Sequence, residues 1–224
     1  MKNTIRALFV LVSTFAFTSN SQAMDLSIGL SGNLGFMAAT GTETNTTQVT
    51  KEYGGMETSH GAIFAELGIN DAVSVGLEFV PSDIDSPDKV SIFEDQPHGS
   101  GTSQQSTNTA KVTFQNWYTV YAIAKLPVPG ILDGTYLKLG YTEADVKTKE
   151  NLGTGGSYND TEIDGMVAGL GYARTNDDGI FFRVELLGTD MNDVTAKNTT
   201  DTTKKVVISD VIGASASIKI GKTF

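Results

Sequence analysis

From Leu26 to Phe224 the apolar residues of this chain fall at every second position in one segment after another. That period belongs to a strand, because successive side chains of an extended chain point to opposite faces. The first segment sets Leu26, Ile28 and Leu30, then Leu34 and Phe36, against Ser27, Gly29, Ser31, Asn33 and Gly35. The second, about Ser59 to Ile69, sets Ile63, Ala65, Leu67 and Ile69 against Phe64, Glu66 and Gly68. The third sets Val73, Val75, Leu77 and Phe79 against Ser74, Gly76 and Glu78. The fifth has Leu137, Leu139 and Tyr141 against Lys138 and Gly140, and the sixth Met166, Ala168, Leu170 and Tyr172 against three glycines. The seventh opposes Ile180, Phe182, Val184 and Leu186 to Phe181, Arg183 and Glu185. The last runs Ile212, Ala214, Ala216, Ile218, Ile220 and, in phase, Phe224, against Gly213, Ser215, Ser217, Lys219 and Gly221. Only the fourth, about Asn108 to Leu126, loses its phase, around Asn116, Trp117 and Tyr118, which predicts a bulge or an inward aromatic.

These eight segments are joined by connections that alternate in length. The short ones are Asn70-Asp71, Pro127 to Asp133 and Asn176 to Gly179, all rich in turn residues. The long ones span roughly Ala38–Thr58, Ser82–Thr107, Val146–Asn159 and Asp190–Lys204. Strict alternation of this kind is expected of an all-β, up-and-down antiparallel barrel inserted with one polarity, with short periplasmic turns and long outer loops.

The chain start reads as an export signal. Lys2 and Arg6 precede the apolar Ala7 to Phe17, and Ser21-Gln22-Ala23 offers small residues for cleavage after Ala23. The expected organisation is a signal peptide at 1–23 and one barrel domain at 24–224. The apolar run is too short for a membrane-crossing helix, and none longer follows, whereas a barrel strand needs only about 9–11 residues. There is no cysteine, which excludes disulfides, thiolate metal sites and a cysteine nucleophile. A formal charge of −10 argues against nucleic acid as a partner.

Alternation alone does not say which face meets lipid, and an exported soluble barrel of the lipocalin type would alternate equally well. The polar face here is mostly Gly and Ser, however, where a soluble exterior would be crowded with charge. The few strand charges, Glu66, Glu78, Lys138, Arg183, Glu185 and Lys219, all lie opposite the apolar stripe and are of mixed sign. This predicts an apolar exterior in lipid and a lumen in which those six residues form a charge network.

With its leader, its alternating segments and the terminal run Ile218-Lys-Ile-Gly-Lys-Thr-Phe224, the chain resembles the eight-stranded outer-membrane barrel superfamily of the OmpA transmembrane domain, OmpX, OmpW and the opacity-like surface proteins. The resemblance implies location in the outer membrane and recognition of Phe224 by the barrel-assembly machinery. Lys222 departs from the pattern, which usually has Tyr or another apolar residue there.

No residue set reads as a catalytic, cofactor or metal site. A lipid-modifying barrel enzyme would need a histidine base, and only His60 and His98 exist. His60 is expected at the outer rim, and its neighbour Ser59 points to the other face. Asp83, Asp85, Asp88, Glu94 and Asp95 lack calcium-loop spacing but could bridge cations to anionic glycolipid. Gly153 to Gly156 lacks the lysine of a phosphate loop. The reading is a non-enzymatic outer-membrane scaffold contacting lipid and glycolipid, with loops that meet an extracellular ligand. A narrow pore for small solutes is the alternative.

Overall fold

The computed structural model describes residues 25–45, 48–87, 89–95, 104–152, 157–201 and 203–224. The expected signal peptide at 1–23, His98, Asp88 and Gly153 to Gly156 lie outside the described residues. Eight strands carry the wall: β1 (Leu26–Asn45), β2 (Gln48–Gly68), β3 (Val73–Phe79), β4 (Gln104–Lys125), β5 (Thr135–Leu152), β6 (Thr161–Thr175), β7 (Ile180–Met191) and β8 (Lys205–Thr223). Each pairs antiparallel with the next, and β8 pairs back onto β1 from Ser27↔Thr223 upward, so the sheet closes. Closure leaves the spanning backbone no unpaired edge in lipid.

The short connections form as turn chemistry dictates. Asn70 Oδ1 accepts from the N–H groups of Ala72 and Val73. Asn176 Oδ1 accepts from those of Asp178 and Ile180, with Gly179 at φ 78°. The long connections differ from expectation. β1 and β2 continue in unbroken register to Asn45↔Gln48, so most of Ala38–Thr58 is a hairpin. β3 breaks beyond Phe79 at Pro81, which cannot donate to a ladder. The chain then resumes at Ile84–Asp85 and Lys89–Asp95, both paired with β4, and Val194–Lys197 likewise extends the wall beside β8. Among the described residues no ladder joins β2 to β3 above Ile63↔Phe79.

Six of the eight strands, 15 to 22 residues long, therefore rise above a shorter lipid-facing belt. Within that belt the outer face is apolar and exposed: Leu30, Leu34, Phe36, Ile63, Leu139, Leu170, Phe182, Leu186, Ile218 and Ile220 all face outward. Above it the polarity reverses. Met37, Val80, Ile84, Phe114, Ala144, Val146, Ile163, Met191, Val194 and Val211 form a buried apolar core inside the barrel. The outer face there carries Lys111, Gln115, Asp145, Lys147, Lys149 and Glu162. The lower part is a membrane barrel, and the upper part, here called the collar, has the polarity of a soluble one.

In β4 and β8 the reversal comes with a change of phase, whereas the β1–β2, β5–β6 and β6–β7 ladders keep one register through it. An extra residue enters β4 between Gln115 and Tyr118, and another enters β8 opposite Ala38/Thr40. Among the described residues Asn116 (φ 51°) and Asp210 (φ 53°) are the two non-glycine residues with positive φ, both of types that tolerate the left-handed region. The inward apolar residues consequently change from spacing two to spacing three: Phe114 then Trp117, and Ile208 then Val211. The expected bulge and the expected inward aromatic near Asn116 are both present.

Candidate functional site

The lumen of the membrane section is filled rather than open. Glycines on its wall make room for rings: a Cβ on Gly171 would lie 2.2 Å from Tyr136, and one on Gly76 would lie 2.6 Å from Tyr121. These two tyrosines cross the interior, and their hydroxyls donate to carboxylates, Tyr121 to Glu66 at 2.8 Å and Tyr136 to Glu185 at 2.7 Å.

The structure places all six charged residues named from the sequence in this space. Arg183 on β7 donates through Nη1 to both carboxylate oxygens of Glu66 on β2, at 2.6 and 2.7 Å. Lys138 on β5 bridges Glu78 (3.2 Å) and Glu185 (3.1 Å). Lys219 on β8 pairs with Glu78 and stands 3.4 Å from Glu185. Ser31 completes Glu78 with a 2.7 Å donation. Three carboxylates thus meet three cations in largely buried side chains, from Lys219 at 1% and Glu185 at 2% exposed to the part-buried Arg183. Such burial is tolerable only because each charge is paired and hydrogen-bonded. Cation–ring contacts add to it, with Lys138 Nζ 3.9 Å from the Tyr121 ring centroid and Arg183 4.2 Å from that of Phe181.

Between this charged floor and the apolar collar lies a cavity of about 80 Å³, lined by Asn33, Thr58, His60, Trp117, Thr142 and Thr189 among others. His60 is not a rim residue: it turns inward and stacks on Trp117, with centroids 5.9 Å apart. The longer β2 accounts for the difference, since it carries the wall well past His60. Ser59 is exposed on the opposite face. Trp117 donates to Thr142 Oγ1 at 2.7 Å. This chamber was not legible in advance, although the broken phase at Asn116 marked its level.

Outside the belt, Asp85 accepts from Lys111 (2.8 Å) and Thr113 (2.6 Å), and Asp83 accepts from Gln115 (2.6 Å). The donation from Lys111, with that from Thr113, holds the Asp85 carboxyl down at about 2. Lys147 likewise lowers Asp160. The side chains of Glu94 and Asp95 lie outside the described residues. Among the described residues no three His, Cys, Asp or Glu side chains are grouped to hold a metal ion.

At the C-terminus the backbone of Phe224 exchanges hydrogen bonds with Leu26, so the last residue belongs to the wall. Its ring is exposed with the apolar stripe, and Lys222 Nζ lies 5.3 Å from the ring centroid.

No family model and no curated protein matches the chain. Solved outer-membrane barrels do match in structure. The outer membrane protein OprG of Pseudomonas aeruginosa aligns over 91% of this chain and 97% of its own at 14% identity, with a TM-score of 0.52. Neisserial surface protein A aligns over 86% and 97% at 13% identity with a TM-score of 0.35. Ail of Yersinia pestis aligns over 88% and 99% at 10% identity with a TM-score of 0.24. The chain has the fold of an eight-stranded outer-membrane β-barrel.

Proposed function

We propose that this protein is a non-enzymatic integral outer-membrane barrel whose closed lower section anchors a rigid collar and its loops at the cell surface. The observation that carries this reading is the reversal of polarity along one continuous wall. A wall that is apolar outside below and polar outside above is stable only across a boundary between lipid and water. The leader and Phe224 add to it, through export and recognition by the assembly machinery. Lipid and glycolipid surround the belt, and an extracellular ligand would meet the collar and loops.

Because the chain lacks cysteine, single cysteines test the orientation. Lys149→Cys on the collar is expected to react with a membrane-impermeant maleimide on intact cells, and Asp178→Cys in a short turn only after lysis. Recovery in the soluble periplasm, or the reverse labelling, would reject the proposal.

The second reading is a narrow pore, which the chamber favours and the paired floor beneath it opposes. Purified protein is expected to show no steady conductance in planar bilayers at neutral pH. Arg183→Ala or Glu66→Ala is expected to raise it. Steady wild-type conductance would establish the pore instead.

A further inference from the structure

His60 occupies an unusual place in the wall. The ladder between β2 and β3 ends at Ile63↔Phe79. Just above that level the imidazole of His60 stacks on Trp117 from β4, with the ring planes 26° apart. Its Nδ1 is buried with no hydrogen-bond partner, and the ring lines the chamber of about 80 Å³. Its lining is largely apolar, but Asn33, Thr58, Glu78, Lys138 and Thr142 supply the polar partners that a water needs, so a proton has a medium through which to reach the ring.

The titratable groups sharing the chamber are Glu78 from β3, Tyr118 from β4 and Lys138 from β5. The other described strands that line it contribute uncharged side chains, including Asn33, Leu187 and Ser215. A phenol stays neutral below about pH 8 and an ammonium stays charged. Imidazole is the group that changes charge within the range from about pH 5 to 8. One proton on His60 would upset a lumen whose three negative and three positive charges balance. Glu78 is the carboxylate in the chamber, and its Oε2 is shared between Lys138 and Lys219.

We infer that His60 is a proton-binding site of the lumen, and that its protonation draws Glu78 toward the imidazolium and loosens its pairing with Lys138 and Lys219. This rests on the closed-lumen reading above. Inside the barrel the new attraction is screened less than it would be in bulk water.

Trp117 is the only tryptophan in the chain, so intrinsic emission reports on the pair. Full-length folded protein in lipid nanodiscs is to be titrated from about pH 8 to about pH 4.5, spanning the imidazole range. The expected result is a sigmoidal loss of emission, since an imidazolium stacked on indole quenches it, together with the onset of steady bilayer conductance over the same interval. Both should vanish in His60→Phe, which keeps a stacked ring without an ionisable nitrogen; His60→Gln serves if that variant fails to fold. A flat wild-type titration, or the same transition in the His60 variants, overturns the site. Quenching without a conductance change overturns the coupling to Glu78. Conductance already present at pH 8 counts against the closed lumen instead, and emission still decides the site.

Discussion

Arg183 and Glu66 show what a single residue contributes to the lower barrel. The pair joins β7 to β2 across the lumen, and Tyr121 donates to the same carboxylate. Arg183→Ala leaves a buried carboxylate without its cation, which should cost about 3–5 kcal/mol. Urea unfolding in micelles measures it. Replacing both residues with leucine should recover most of that loss, because a buried ion pair exchanged for apolar packing is often neutral. On the collar Asp85 makes a pH prediction. Its folded value, about 2, lies below its ordinary one. The stabilisation is therefore fully present above about pH 4 and is lost as pH falls through the folded value. The protection factor of the Thr113 amide, which corrects for the slowing of intrinsic exchange in acid, should fall only in that acid window. Lys111→Ala should move the onset upward.

At the scale of the element, the two bulges are where a strand changes solvent. Below Asn116 the residues of β4 that face lipid are Val120 and Ala122, and above it the residues that face the interior are apolar. Without the extra residue, Phe114 would point outward into the headgroup region and Gln115 inward. Glycine has no Cβ to clash at positive φ, so Asn116→Gly should be close to neutral. Asn116→Val should cost about 1–2 kcal/mol, the usual penalty of the left-handed region for an L-residue. Equilibrium unfolding of the two variants measures the difference. Equal stability would mean that the bulge relaxes elsewhere in the strand.

The whole molecule is two barrels of opposite polarity sharing one wall. The lower one is held by lipid outside and paired charge inside, the upper one by an ordinary apolar core. Their stabilities should separate. Ile163→Ala removes a buried branched side chain from the collar and should cost about 2–5 kcal/mol there. The lower section should keep its heat-modifiable migration, while protease cuts the collar at lower temperature than in wild type. Loss of heat-modifiability in that variant would mean the two sections fold as one unit.

The alternation itself determined the strands, their number, the lipid-facing stripe and the six residues placed in the lumen. Side-chain direction in a strand has a strict period of two, and that period is written in the order of residues. The extent of the collar was not legible. Stretches such as Ala38–Thr58 are polar and glycine-rich, and nothing local separates a loop from a hairpin whose inner face packs against strands far along the chain. The same limit hid His60. Its partner Trp117 lies more than fifty positions away, and the register that brings them together is set by a bulge whose sequence trace was only a lost phase. Tertiary structure alone decided which side of the wall each apolar residue faces above Asn116, because that depends on where the lipid ends.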